Sequence, residues 1–426
     1  MTNFFDNALK INNSSGDSHF TSLRKAAISR VLAKGFPTRK DEDWKYTNIK
    51  PIVSSSYTLA PSVESFSPDD ELQTSLDRFE TRVVFVNGVL SAALSKLENL
   101  PKEISLKPLN QLSEKEVSEI TSKIHVEEGD VFSDLNESFL NSGIYLNVPK
   151  GTKLEKLLGI FYVSIPGPKA QLSFPRTIIS MAANSEARVF EYYLGVEGKE
   201  KYLTNSVTSC HLDPNAKLSV YRIQNENENA EHFSLTNLSL RKDAFCEHLS
   251  LSMGAGLCRN NLNIGLNESD SEVKHDGLYI TAKNQHCDNH TMVDHRVPHT
   301  TSRQLYKGIL NNSSRAVFNG AIKVKKDAQK TEAHQLNNNL LLSSDAEIDT
   351  KPQLEIDADD VKCSHGATIG QLGQDELFYL LSRGISEDEA MEMLSKGFAS
   401  QVIYRILCPE AQKLISDSIE HKWNSL

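Results

Sequence analysis

Two stretches of this sequence carry side chains able to hold a metal or to act as nucleophiles. The first is DADDVKCSHGATIGQL, residues 357–372, in which Cys363 stands two positions before His365 and Gly366 follows at once. The second is HCDNHTMVDHRVPH, residues 286–299, which gathers His286, Cys287, Asp288, His290, His295 and His299. Thiolate and imidazole are soft or borderline ligands suited to iron, zinc or copper. Neither stretch completes a site by spacing. The cysteines stand at 210, 246, 258, 287, 363 and 408, so no C-x-x-C occurs. That removes zinc ribbons, thioredoxin-type dithiols and self-contained ferredoxin spacings. There is no G-x-x-x-x-G-K-[ST], G-x-S-x-G or H-E-x-x-H either, so ATP binding through a P-loop is not expected of this chain.

The elements that carry these residues decide what they can reach. If 286–299 is a strand, alternation puts His286, Asp288 and His290 on one face and Cys287 and His295 on the other. One mononuclear site would then need a bend, and a structural or surface role stands beside the metal reading. For the first stretch, residues up to Ile356 read as a strand, Asp359 and Asp360 as a turn, and VKCSH as the next strand. Val361, Cys363 and His365 then share a face, opposite Lys362 and Ser364. Two readings stay open. Cys363 is a small buried hydrophobe and His365 a strand-end polar residue, or His365 is a ligand at an accessible rim, freed by Gly366, with Cys363 just inside. His334 precedes His365 by 31 positions and Cys258 precedes Cys287 by 29. Either these pairs stack on adjacent turns of a repeat or the spacings are coincidental.

A repeat is visible. From about 142 to 370, short alternating runs such as ARVFEYYLG, AKLSVYRIQ and GLYITA are separated by Asn, Asp, Ser and Gly. A turn pattern returns with its small residue at Ala187, Ala216, Ala244 and Ser271, in steps of 29, 28 and 27. Such a period favours a β-solenoid over an irregular β-sandwich. The chain divides into a helical and mixed region, 1–141, a β core, 142–373, and a helical region, 374–426. In the first, residues 19–35 read as an amphipathic helix with Leu23, Ala26, Ile28, Val31 and Leu32 as its stripe. RVVFVNGVL, 82–90, reads as an isolated strand, and 111–123 as a charged helix. In the last, DELFYLLSR presents Leu377, Leu380 and Leu381 and stops at Gly384, and Ser386 with Glu389 has capping-box spacing. This appendage either caps an open solenoid end or is a docking surface.

Composition bounds the function. The chain has 426 residues, 39% hydrophobic and 24% charged, as an ordinary soluble protein does. A net charge of -10 argues against nucleic acid as a partner. The longest apolar run, LLGIFYVSI, is too short for a membrane helix and ends at Pro166. The start, MTNFFDNALKINNSS, lacks a basic region and an apolar region, so no signal peptide is expected and free thiols in a reducing cytoplasm fit best.

KPQLEIDADDVKCSHGATIG followed by DELFYLLSRGI, together with AVFNGAIKV, AQKTEAHQLNNNLLLS and RKDEDWKYTN, resembles the SufD branch of the SufB/SufD family, subunits of the SUF iron–sulfur cluster assembly system. The resemblance is specific from Arg315 to Phe398, runs in order back to the amino terminus, and between 150 and 280 is one of texture. It implies a right-handed parallel β-helix flanked by small helical N- and C-terminal domains. It implies a scaffold and not an enzyme, acting with a SufB-like paralogue through the β-helix and a SufC-like ATPase through 374–426, and linked to iron acquisition. A homodimer is possible where the paralogue is absent. His365, with Cys363 beside it, would serve a transient iron–sulfur cluster or iron at the paralogue interface, with nothing tightly bound to the isolated chain. A ligand set shared with a partner would answer why the stretch is incomplete. Two rivals differ in class: a carbohydrate-active β-helix enzyme, which needs export and an acidic groove, and a mononuclear metallohydrolase built on 286–299.

Overall fold

The computed structural model describes residues 19–63, 66–124, 129–140 and 142–423; the whole stretch inspected for a signal peptide lies outside the described residues. The fold is set at its corners. Asn184, Asn215, Asp243, Asp270, His299 and Lys330 all take left-handed backbone conformations, which Asn and Asp tolerate best among residues with a side chain. Each is followed by a buried small or β-branched residue: Ser185, Ala216, Ala244, Ser271, Thr300 and Thr331. Corners on successive coils are tied by backbone bonds, Asn215 N–H to Lys242 O at 2.8 Å and Asp270 N–H to His299 O at 3.1 Å. The small residue anticipated at Ala216, Ala244 and Ser271 is therefore in place, whereas its equivalent one coil earlier is Ser185 and not Ala187.

Between corners, the chain alternates between two sheets of parallel strands. One runs from Ile144–Val148 through Tyr202–Leu212, Leu257–Leu266, His286–His295 and Arg315–Val324 to Glu347–Ile356; the other runs from Leu158–Ser164 through Phe245–Ser252, Glu272–Thr281 and Glu332–Leu341 to Lys362–Gly370. The result is a parallel β-solenoid of about eight turns with helices at both chain ends. Thr81–Val86 is not the isolated strand expected. It pairs in parallel with Leu158–Ser164, and all six of its residues are buried.

Inward-facing side chains begin aliphatic and turn polar. A single register column on the second sheet reads Val189, Val220, His248, His275, Gln304, Gln335 and His365. Helices cover the outer faces. Thr21–Lys34 buries Arg24, Ala27 and Val31, a stripe rotated from the expected one, and leaves Leu32 exposed. The reason is its neighbour Val131–Ser138, which takes Arg30 onto Asp134 at 2.6 Å. On the other flank, Glu387–Ile403 carries the expected capping box. It lies against the second sheet, where Lys307 sits 3.8 Å from the Phe398 ring centre and Arg405 grips Asp276 through two bonds of 2.9 and 3.1 Å. Gln374–Ser382 buries none of its residues, and Gly384 follows it at φ +84°. The appendage thus runs along the side of the solenoid and leaves the last coil uncovered.

Burial pushes His248 and His275 down to about 3. An unfolded histidine titrates near ~6.5, so below that pH the unfolded chain takes up protons that the folded chain refuses. Their stabilising contribution is complete above that value and declines towards pH 3, by roughly 1.4 kcal/mol per unit for each ring. Urea unfolding at pH 7 and pH 5 should show the loss, and the double variant His248→Gln, His275→Gln should reduce it without abolishing it, because burial also lowers His211 and His295 to about 4.

Candidate metal-ligand site on the last coil

Lys362–Gly370 is the final strand of the second sheet, with neighbour Glu332–Leu341 on one side only. Cys363 is in register with Ala333 and His365 with Gln335, both buried and inward-facing. The shared face expected for Cys363 and His365 is therefore the solenoid interior. Among the described residues no coil lies above them, so that interior is open. Cys363 is half-buried against Ile322, Val324, Ala333 and Ala358, and burial raises its thiol. His365 is exposed and makes no side-chain hydrogen bond with the described residues. Its accessibility comes from its place on the terminal coil. Gly366 is extended, the strand continues to Gly370, and a Cβ there would meet only Leu336 Cδ1 at 3.3 Å. The other edge of this end, Glu347–Ile356, carries Pro352 mid-strand.

The proposed stacking of His334 on His365 is off by one. His334 aligns with Ser364, bonding its Oγ at 2.7 Å, and so faces outward, away from the column that holds His365. Cys258 and Cys287 do stack on adjacent coils. Among the described residues, no group of three or more His, Cys, Asp or Glu is arranged to hold a metal ion.

The cluster at 286–299 divides between faces as alternation requires. His295 points inward to Thr300 and Ser302, at 2.7 and 2.9 Å. His286, Asp288 and His290 face outward beneath the segment RKDEDWKYTN. Thr47 Oγ1 donates to Asp288 at 2.5 Å and meets His286 Nε2 at 3.0 Å. Arg259 binds the Asp43 carbonyl at 2.8 Å and Asp288 at 2.6 Å, with its guanidinium 3.8 Å from the Trp44 ring centre. Trp44 packs in turn on Phe132 and Phe233. Burial alone would raise the Asp288 carboxyl, yet Arg259, His290 and Thr47 hold it well below the usual range. Burial lowers His286, with Arg315 and Arg259 adding to the effect. Asp288 is thus engaged by a guanidinium, a hydroxyl and His290 at 2.9 Å, which leaves it poorly placed to ligate a metal. The cluster is the anchor of an N-terminal strap. Sequence reasoning quoted Trp44 and the 286–299 run without joining them, because a contact spanning some 240 residues leaves no mark on local spacing.

Six exposed apolar side chains lie on the C-terminal helices and their connections: Phe378, Tyr379, Leu381, Met393, Tyr404 and Leu407. No described helix is long and apolar enough to cross a membrane.

Residues 163–398 match the family model for the SUF system FeS cluster assembly SufBD core domain, and residues 1–160 match the SufBD protein N-terminal region. The chain belongs to the SufB/SufD family. It is 34% identical over 378 residues to the iron–sulfur cluster assembly protein SufD of Escherichia coli, covering 88% of this chain and 86% of that one. A SufBD-family iron–sulfur cluster assembly protein of Synechocystis is 29% identical, over 92% of this chain and 88% of its own. The SufD of Bacillus subtilis is 24% identical, over 94% and 93%. Membership places the chain in iron–sulfur cluster assembly and agrees with the solenoid.

The strap makes its own prediction. Arg259→Met leaves Asp288 buried without its cation, a change that costs about 3–5 kcal/mol. Chemical denaturation should show a loss of that order, and Trp44 emission should shift to the red as the strap lifts; Asp43→Ala should do neither, since Arg259 bonds only its carbonyl.

Proposed function

We propose that this chain is a non-catalytic scaffold subunit for iron–sulfur cluster assembly, presenting His365 at the open end of its solenoid to a SufB-like paralogue. The observation that carries this reading is an exposed imidazole on a terminal coil paired on one side only, with no group of three ligands around it among the described residues. A ligand so placed can be completed by another polypeptide. The cargo is iron or a transient iron–sulfur cluster, held by His365 and, from just inside, by Cys363. An imidazole binds iron less permanently than a full thiolate set, which suits handing on.

The same coil offers a docking surface: two strand edges with unsatisfied backbone groups, and the exposed Ile356 and Ile369 on its rim. A second copy of this chain can occupy it when the paralogue is absent. The exposed apolar residues of 374–426 are the contact for a SufC-like ATPase, which would supply the P-loop this sequence lacks. Work done by that ATPase reaches the solenoid through the Arg405–Asp276 and Lys307–Phe398 contacts. The site of action is the cytoplasm.

His365→Ala should leave the circular dichroism spectrum and thermal midpoint of the purified chain unchanged while lowering cluster formation in the three-component complex at least several-fold; undiminished assembly would remove His365 from the role. Phe378→Asp with Tyr404→Asp, both at exposed positions, should abolish co-purification with the ATPase and spare folding. A retained complex would move the docking site elsewhere.

A further inference from the structure

Cys258 and Cys287 occupy one register position on neighbouring coils, face inward, and are almost wholly buried, at 1% and 2% exposure. Adjacent strands lie about 4.8 Å apart, within the Cα separation of ~4.4–6.8 Å that a disulfide spans. The two residues stand directly opposite one another on neighbouring strands. Each also meets an amide: Asn260 Nδ2 lies 3.4 Å from Cys258 Sγ, and Asn289 Nδ2 lies 3.4 Å from Cys287 Sγ. Asn260 and Asn289 are joined at 3.0 Å, and Arg222 donates to Asn260 at 2.9 Å. These amides lie beside a buried cluster of aromatic and small apolar residues to which both cysteines belong, with Tyr279, Tyr306 and Phe318. Cys210 and Cys246 lie in a different, mainly aliphatic cluster.

We propose that Cys258 and Cys287 form a reversible disulfide within the solenoid, with a small peroxide as oxidant. Cys258 attacks the peroxide O–O bond: its sulfur gains one oxygen as a sulfenic acid, and the other oxygen leaves as water with the thiol proton. Cys287 then attacks the sulfenic sulfur. The S–S bond forms, the S–O bond breaks, and the hydroxyl leaves with the Cys287 proton as a second water. Two thiols lose two electrons and one hydrogen peroxide gains them.

The order follows from the surroundings. The neighbouring Cys287 thiol and Arg222 lower Cys258, whereas the Cys258 thiol and burial push Cys287 up. The thiolate is the attacking form, so Cys258 acts first. Unpartnered polar atoms mark the path by which a molecule little larger than water would reach the pair. Both ring nitrogens of His248, His275 Nδ1, Gln304 Oε1 and Gln335 Oε1 are buried without a partner among the described residues. Buried polar groups of this kind take ordered water. They fall on the one register column that ends at exposed His365, and the Arg222 charge is felt at both His248 and Cys258. The site is separate from the scaffold role proposed above and needs no partner chain.

The test uses the full chain, folded and fully reduced. It is exposed to hydrogen peroxide, quenched with catalase, alkylated in denaturant and mapped by mass spectrometry. The expected result is a peptide pair joining Cys258 to Cys287, two hydrogens lighter than the free pair and released by dithiothreitol. A thermal midpoint several degrees above that of the reduced chain should accompany it, since the link closes a loop of coil length. In Cys258→Ala, Cys287 should be recovered alkylated and peroxide should leave the midpoint unmoved. Recovery of both residues alkylated from the wild-type chain, or a link that forms only when peroxide is added in denaturant, would overturn the proposal.

Discussion

In-register stacking of parallel strands, one coil on the next, is the constraint on which everything else here depends. Each backbone ladder fixes not only the height of a coil but which side chains stand above one another. A slip of one position would move His365 from the open interior to the outer surface, where Ser364 and His334 lie. It would equally separate Cys258 from Cys287 and lift Asp288 away from the strap. The corners enforce the register: a left-handed residue followed by a small buried one leaves little freedom to insert or delete.

The interior departs from the aliphatic filling of its first coils. From His248 onward a column of histidine and glutamine replaces valine, and Arg222, Glu226 and His232 form a buried charged group beside it. Burying such groups is costly unless they are bonded, and Glu226 meets His232 at 2.6 Å. Stability in these coils therefore leans on the continuous backbone ladders and on the helices covering both faces. The strap adds a third support, binding residues from successive coils through Arg259, His286 and Asp288.

Much of this was legible from residue order alone, for definable reasons. The solenoid period shows because each coil needs a tight corner, and Ala216, Ala244 and Ser271 mark three of them. The Cys258–Cys287 stack shows because 29 positions is one coil. His334 and His365 mislead because the local coil is 30 positions long, and a one-position error reverses a side chain. The helix at 21–34 was visible but its buried face was not, since Arg24 is drawn inward by the Leu140 carbonyl at 2.7 Å. The sequence shows that Cys363 and His365 have no other neighbouring Cys or His beside them. The position of His365 on the terminal coil emerges only once the coils are counted in space.

The two edges of that terminal coil are unlike. Pro352 removes a donor from one, whereas the strand through Gly366 and Gly370 carries no proline and leaves its amide row intact. An incoming chain can therefore extend the second sheet more readily than the first. Left uncovered, the same row is a template for edge-to-edge self-association, the hazard that any long free strand edge carries.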